Sequence, residues 1–269
     1  MKRNLFVLIF LTMLSFIIGI NSYTKPVVEI AENQYAEKKI EENREIKPLD
    51  RKRILIDPGH QKIGNLTKEP IAPNSEVMKA KVTYGTTGIV TGVPEYVFAL
   101  EIGKKLKKEF VDLGAEVFMT REEHEVDISN RQRAIIGNEM KVDLVIKIHA
   151  DGSDNKNVQG ISILYPSYDG DYTQKIAEDS SRAANLVLKN LILHTEAKNR
   201  GTIPRKDITG FNWSEVPVIL IECGYMSNVE EDILLNDPVY KNKLTMGIVE
   251  GALEYFSEKQ DEKINISKP

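Results

Sequence analysis

The sequence contains little cysteine and histidine, and it has no excess of positive charge. Cys223 is the single cysteine among 269 residues, and there are four histidines. One cysteine excludes an internal disulfide framework and a cysteine-rich zinc ribbon. The formal net charge of −4 provides no basic face of the kind that nucleic-acid-binding domains carry, so nucleic acid is not an expected partner. Any metal site must therefore use histidine and carboxylate ligands.

The N-terminal segment has the pattern of an export signal. Lys2 and Arg3 precede an apolar, nearly uncharged run from Leu5 to Ile20, which is typical of a secretory signal. The run is a little short for a membrane span of about 20 residues, and no cysteine that could carry a lipid directly follows it. We expect residues 1–22 to be a signal peptide or a retained signal anchor, and the protein to be secreted or held at the cell surface.

Composition divides the rest of the chain into three parts. Residues 23–50 are charged and poor in large apolar residues, which favours a linker, with a charged helix as the alternative. Residues 51–258 contain apolar runs of strand length that alternate with helical periods, and residues 259–269 form a polar tail. The alternation predicts a single-domain α/β layer sandwich with a mostly parallel sheet.

Two stretches interrupt this alternation. Residues 61–94 are rich in proline and glycine, and so long a segment is typical of a functional rim. Within it we predict a short hairpin that pairs Lys81–Tyr84 with Gly88–Thr91. A stretch rich in charge and glycine is predicted as a loop between a long helix that ends near His194 and Trp213.

Three apolar strands end in residues that can bind a metal or carry a proton. The first breaks at a Pro-Gly pair and delivers His60, a later one ends at His149, and a third ends at Glu222. Because the carboxyl ends of parallel strands line one crevice, we expect these side chains to converge. Zinc binds imidazole and carboxylate and keeps one position open for water in catalytic sites. Glu95, which opens a helix, is a candidate third ligand, although it could serve only the helix dipole; Glu222 then remains as the general base.

The other residues with suitable chemistry are expected to be structural. His124 is flanked by glutamates and looks like part of a solvated turn, and His194 lies at a helix end where a cation favours the dipole. Cys223 follows Glu222 directly. Because adjacent strand residues point to opposite faces, we expect Cys223 to pack against a helix.

These residues resemble the zinc-dependent N-acetylmuramoyl-L-alanine amidases. The motifs occur in the order seen in that family over roughly Arg53 to Ser257: Asp57-Pro58-Gly59-His60, Glu95 at a helix start, Met119-Thr120-Arg121, Ile148-His149-Ala150-Asp151, and Ile221-Glu222-Cys223-Gly224-Tyr225-Met226-Ser227-Asn228. The resemblance implies one zinc ion held by His60, Glu95 and His149, with Glu222 catalytic. It also implies a twisted six-stranded sheet flanked by helices, and 51–258 as an amidase catalytic domain.

The substrate that the resemblance implies is peptidoglycan, cleaved at the amide between N-acetylmuramic acid and L-alanine. The interval from His60 to Glu95 is longer than we expect for the family, so Glu76 and Glu101 compete with Glu95, and the extra loop is expected to wall one side of the substrate groove. Two alternatives stay open. One is a zinc peptidase that cuts the stem peptides, and the other is an inactive wall-binding module. An activating or anchoring protein is left open as a partner.

Overall fold

The computed structural model describes residues 47–266. The predicted signal segment 1–22 and nearly all of the predicted linker 23–50 lie outside the described residues. The described chain contains eight strands: β1 (Arg53–Pro58), β2 (Asn65–Pro70), β3 (Met78–Val82), β4 (Glu116–Met119), β5 (Leu144–Asp151), β6 (Ile161–Pro166), β7 (Asn199–Arg205) and β8 (Val218–Tyr225). It also contains six helices: α1 (Glu95–Asp112), α2 (Asn130–Glu139), α3 (Gln174–Thr195), α4 (Thr209–Asn212), α5 (Val229–Asn236) and α6 (Pro238–Ile266).

Six of these strands form one sheet in the order β4-β1-β5-β8-β6-β7. Strands β4, β1, β5 and β8 pair in parallel, whereas β6 runs antiparallel to β8 and carries β7 parallel to itself. The prediction of a mostly parallel six-stranded α/β fold is confirmed. Since β1, β5 and β8 are neighbours and run in the same direction, their carboxyl ends meet at one edge of the sheet.

Apolar residues cover both faces of these central strands. On one face Ile56, Ile146 and Ile221 pack against α1, α3 and α6, and on the other Val145 and Leu220 join a smaller cluster that includes Phe211 of α4. Strands buried on both faces read as continuous apolar runs, which is why they were visible in the sequence.

The helix signals in the sequence agree with the structure. Ser129 caps α2 with a reciprocal pair of bonds, because its hydroxyl accepts from the Gln132 N–H and the Gln132 side chain accepts from the Ser129 N–H. Helix α1 starts at Glu95 and α3 ends at Thr195, one residue beyond the predicted His194. Among residues 47–266, no helix is both long and apolar enough to cross a bilayer.

The hairpin of the long segment 61–94 lies at a different place from the predicted one. Strand β2 pairs with β3, and the prediction that Lys81–Tyr84 pairs with Gly88–Thr91 is wrong. The N–H groups of Val90 and Thr91 instead donate to the buried Asp232 of α5 at 2.7 and 2.8 Å. A carboxylate about 140 positions away in sequence holds this turn, and local alternation cannot reveal such a contact.

Two other segments are more regular than predicted. The stretch predicted as a loop up to Trp213 contains β7 and α4. Because β7 is an edge strand with mostly exposed or half-buried residues, it lacks the apolar alternation of a strand. Helix α6 continues to Ile266 through most of the predicted tail 259–269. Lys259 there donates to Asp179 of α3 at 2.6 Å, which fastens this part of the helix.

Candidate metal centre and active site

Three side chains from separate elements converge at the carboxyl edge of the sheet. His60 follows β1, Glu95 is the first residue of α1, and His149 lies near the end of β5. One ligand atom from each lies within 4.8 Å of the others. Oε1 of Glu95 is 3.1 Å from Nε2 of His60 and 2.9 Å from Nδ1 of His149. Both imidazoles therefore contact the same carboxylate oxygen, and the three groups are close enough to share one metal ion.

His60 is oriented through its other ring nitrogen. Nδ1 lies 2.9 Å from the carbonyl oxygen of Thr83, and a carbonyl can only accept, so Nδ1 carries a hydrogen and Nε2 is directed into the cluster. The two rings meet edge to face with their centroids 4.9 Å apart. A Cβ at Gly59 would lie 2.3 Å from Cε1 of His149, so only glycine allows the two histidines to approach so closely.

Glu95 is buried and accepts hydrogen bonds from backbone and side chains. Its Oε2 accepts from the Thr86 N–H at 2.9 Å and its Oε1 from the Ala150 N–H at 3.2 Å. Burial raises the pKa of the Glu95 carboxyl, but the hydrogen bonds and charges of His149 and His60 outweigh burial and hold that pKa well below its usual range. Glu95 is therefore an ionised carboxylate at neutral pH.

The pKa values of the two imidazoles move in opposite directions. Burial lowers the pKa of His149 despite its bond to Glu95. At His60 burial also acts to lower the pKa, but the hydrogen bond and the charge of Glu95 outweigh it and raise the pKa. A neutral imidazole is the form that binds metals, so a metal competes with protons for this cluster.

Glu222 lies beside His149 across the β5–β8 ladder. The two are register partners, so their Cα atoms stand about 4.8 Å apart on neighbouring strands. Among the residues that the structure describes, Oε2 of Glu222 is buried without a hydrogen-bond partner. Burial, followed by the charges of Glu95 and Asp151, raises the pKa of Glu222 well above its usual value, and the Arg205 charge only partly opposes this. Glu222 therefore holds its proton to a higher pH than an ordinary carboxyl group does.

All four side chains line one cleft of about 710 Å³. The segment before α1 supplies Thr83, Tyr84 and Thr86 to its wall, and the end of β5 supplies Asp151. The long segment 61–94 therefore walls one side of the cleft.

The donors in this cleft suit a zinc ion. Two imidazoles and one carboxylate form a ligand set that catalytic zinc sites use, with a further position left for water or substrate. His60, Glu95 and His149 thus fit the metal by the chemistry of their atoms and by their mutual distances.

The competing carboxylates and histidines lie elsewhere. Glu76 is exposed between β2 and β3, and Glu101 pairs with Lys241 on the outer side of α1. The rings of His124 and Tyr96 meet edge to face, with their centroids 5.3 Å apart. His194 contacts Glu250 of α6 at 2.7 Å. Cys223 is buried in the apolar core on the other face of the sheet.

Comparisons with known proteins identify the family of this chain. A family model described as N-acetylmuramoyl-L-alanine amidase matches residues 54–254, which is most of the chain. The chain belongs to the N-acetylmuramoyl-L-alanine amidase family. A probable cell wall amidase LytH from Staphylococcus epidermidis is 27% identical over 211 residues, which are 78% of this chain and 60% of the relative. The chain therefore spans only about 60% of the length of this curated relative.

Two solved amidase structures share the fold. The apo form of the amidase Ami1 from Mycobacterium abscessus has a TM-score of 0.70 at 25% identity, over 77% of this chain and 100% of that one. The amidase from Clostridium difficile 630 has a TM-score of 0.64 at 26% identity, over 77% of this chain and 98% of that one.

Sequence reasoning assigned no role to several polar residues around this site. Thr83 and Thr86 bond the candidate ligands through backbone atoms, which carry no sequence signal. Asp151 raises the pKa of Glu222, and its position two residues after His149 on the same strand was a usable signal. Arg121, which follows β4, and Arg133 of α2 are almost fully buried, and the sequence context of a buried arginine does not distinguish it from an exposed one.

Proposed function

We propose that the protein is a zinc-dependent N-acetylmuramoyl-L-alanine amidase that hydrolyses the amide between N-acetylmuramic acid and L-alanine in peptidoglycan. The observation that carries this proposal is the convergence of His60, Glu95 and His149 in one cleft, with Glu222 beside His149; the buried Oε2 of Glu222 has no hydrogen-bond partner among residues 47–266. Family membership supports the choice of bond, since the matching family model carries this activity in its description. We assign the catalytic domain to residues 51–258.

His60, Glu95 and His149 would hold one zinc ion per chain. When bound, zinc polarises a scissile carbonyl and lowers the pKa of a water molecule from about 15.7 to about 7. The backbone donors at Thr86 and Ala150 keep Glu95 in place as an ionised ligand.

Glu222 would move the proton. It accepts a proton from the attacking water as the water oxygen bonds to the carbonyl carbon, and it then donates that proton to the alanine nitrogen as the carbon–nitrogen bond breaks. The products are the free carboxyl of the lactyl group and a stem peptide with a free L-alanine amine. A pKa raised towards the working pH suits a group that must accept and then release one proton, and burial with the Glu95 and Asp151 charges raises the pKa of Glu222 in this way.

Mass analysis of muropeptides tests the proposal. The full-length protein is incubated with isolated cell-wall sacculi, with and without a chelator, and its zinc content is measured in parallel. We expect stem peptides that begin with a free L-alanine amine, abolished by the chelator and restored by zinc, at about one zinc per chain. New amines inside the stem peptide would favour the zinc peptidase, and intact sacculi with the zinc-loaded protein would favour the inactive module.

The location of the protein is proposed to be extracytoplasmic. The substrate lies outside the cell membrane, the segment 1–22 has the pattern of an export signal, and the staphylococcal relative is described as a cell wall amidase. Mass analysis of the N-terminus of the protein recovered from cells distinguishes a cleaved signal, which gives a start near residue 23, from a retained anchor, which gives the full chain.

A further inference from the structure

The turn that carries His60 is gripped by two arginines. Arg133 of α2 donates to the carbonyl oxygens of Pro58 at 2.8 Å and His60 at 2.9 Å. Arg121, which follows β4, donates to the carbonyl oxygens of Pro58 at 3.1 Å and Gly59 at 2.9 Å. Three consecutive carbonyl groups therefore receive four hydrogen bonds from two guanidinium groups.

Arg121 also connects this turn to the helix that carries Glu95. The same terminal nitrogen that bonds Gly59 lies 2.8 Å from the carbonyl oxygen of Tyr96, which directly follows Glu95 in α1. The other terminal nitrogen donates to the carbonyl oxygen of Glu123 at 3.1 Å. The side chain is 3% exposed, and a buried guanidinium is costly unless its N–H groups are satisfied. The N–H groups of Arg121 keep these hydrogen bonds only while the turn and the start of α1 keep their relative positions.

Arg133 connects the turn to the strand that carries His149. It donates to Oδ1 of Asp57 at 2.7 Å, and the other oxygen of Asp57 accepts from Lys147, two residues before His149. Asp57 and Lys147 are register partners in the β1–β5 ladder. The two arginines, Asp57 and Lys147 thus form a buried charged frame that contacts all three ligand-bearing elements through atoms other than the ligand side chains.

The buried charged frame holds His60 in an unfavourable backbone conformation. His60 has φ = 55°, in the left-handed region that residues with a Cβ rarely adopt. Such a conformation persists only where the surroundings over-determine it. Its ring reaches Glu95 and His149 from this conformation, so a turn that relaxed towards right-handed backbone would withdraw Nε2 from the cluster.

We propose that Arg133 and Arg121 are positioning residues that set the metal affinity of the site by holding His60 in its ligating conformation. The inference rests on the proposed zinc site. Partners that orient metal ligands typically contribute about 10- to 100-fold to affinity when they are removed. Arg133 has the larger role, since it alone of the two bonds the carbonyl of His60 itself.

The test compares Arg133→Lys with wild type in the full-length chain. Lysine keeps a positive charge for Asp57, but a single ammonium cannot reproduce the planar set of N–H donors that reaches both carbonyls. The zinc dissociation constant is measured by competition with a chromogenic chelator, and the melting temperature is measured without metal. We expect zinc to bind at least tenfold more weakly while the protein remains folded. The visible spectrum of the cobalt-loaded protein should also change, because it reports ligand geometry.

Arg131→Lys is the matched control. Arg131 lies on the same helix, and its guanidinium stacks 4.1 Å from the centre of the Trp213 ring, away from the turn. We expect it to bind zinc as wild type does. If Arg133→Lys binds zinc with wild-type affinity and gives an unchanged cobalt spectrum, the guanidinium supports only the fold and the inference is overturned.

Two further results separate the inference from the proposed function. A wild-type protein that takes up no zinc overturns the zinc site itself, whereas a tight wild-type site that Arg133→Lys leaves unaltered overturns only the positioning role. If Arg133→Lys does not fold, the zinc dissociation constant of Arg121→Lys is measured instead, because Arg121 bonds the same turn. Weaker zinc binding by at least tenfold supports the inference there, and wild-type affinity overturns it.

Discussion

Two carboxylates of the same sheet, Asp57 and Glu222, have opposite surroundings. They lie on β1 and β8, on either side of β5, and each has a register partner on β5: Lys147 for Asp57 and His149 for Glu222. Asp57 accepts from Lys147, Arg133 at 2.7 Å and Thr120 at 2.6 Å. Oε2 of Glu222 is buried and, within residues 47–266, receives no hydrogen bond.

The pKa values follow from these surroundings. Burial raises the pKa of Asp57, but the charges of Lys147 and Arg133 outweigh it and hold that pKa far below the usual range. Burial and the nearby charges of Glu95 and Asp151 raise that of Glu222. The hydrogen bonds and positive charges around Asp57 keep this carboxylate ionised, whereas the surroundings of Glu222 favour its protonated form. The comparison teaches that the neighbouring groups, and not the position near a strand end, decide in which direction the pKa of a buried carboxyl moves.

The largest expected effect is the loss of hydrolysis in Glu222→Gln. The amide keeps the shape of the side chain but can neither accept nor return the proton, and general acid–base groups typically contribute about 10²- to 10⁴-fold. We expect kcat on a soluble muropeptide to fall roughly a thousandfold, measured by release of L-alanine amines, with zinc content unchanged. Glu215→Gln, an exposed carboxylate just before the same strand, should retain wild-type activity. If Glu222→Gln hydrolyses the muropeptide as fast as wild type does, Glu222 does not transfer the proton, and the proposed difference from Asp57 is wrong.

Much of this centre could be predicted from local sequence. Strands β1, β5 and β8 are buried on both faces and so appear as apolar runs. The polar residues near or just past their carboxyl ends, His60, His149 and Glu222, stand out against these runs. Parallel pairing then brings these ends together without further information. Glu95 could be placed at a helix start, but only the fold shows it between the two histidines.

The remaining features depend on contacts between distant segments. The frame around Asp57 joins residues up to 90 positions apart, and in the sequence its members are ordinary charged residues. The turn at Gly88–Thr91 is held by Asp232, and the edge strand β7 has one neighbouring strand and mostly polar residues. Contacts between distant segments leave no periodic pattern in the local sequence. For this reason the hairpin was predicted in the wrong place, and a loop was predicted where β7 and α4 lie.

The second largest expected effect is a decrease in the free energy of unfolding when Asp57 is replaced. We expect no comparable decrease when Glu222 is replaced. Asp57→Asn leaves the buried Arg133 and Lys147 without their counter-charge, and removing one partner of a buried ion pair typically costs about 3–5 kcal/mol. We expect a loss of about 3 kcal/mol or more in urea unfolding of the metal-free protein. Glu222→Gln should cause no such loss, since it removes no ion pair.

An exposed pair provides the control for that experiment. Asp112 lies 2.6 Å from Lys108 on the surface of α1, so Asp112→Asn should leave the free energy of unfolding nearly unchanged. If Asp57→Asn is as stable as Asp112→Asn, the frame does not hold the fold at Asp57 and the two strand-end carboxylates are alike in this respect.

The smallest effect is the pH dependence of stability in the metal-free protein, and its sign separates the two carboxylates. The folded-state pKa of Glu222 is raised, so between the unfolded pKa of about 4.3 and that raised pKa the folded state binds more protons than the unfolded one. The contribution of Glu222 to the free energy of unfolding therefore falls as the pH rises from the unfolded-state pKa to the folded-state pKa. Asp57 has a lowered folded-state pKa, so its stabilising contribution is present above about pH 3.9 and is lost as pH falls further.

Melting temperatures of three metal-free proteins between pH 4 and pH 8 reveal both signs. At pH 8 Glu222→Gln should melt above wild type, because glutamine has no proton to lose, and the difference should shrink towards pH 4. Asp57→Asn should melt below wild type across the same range, with the gap narrowing only at the acid end. Parallel curves for wild type and Glu222→Gln would mean that Glu222 titrates as an ordinary carboxyl, and the burial of its unpartnered oxygen would then have no consequence for proton transfer.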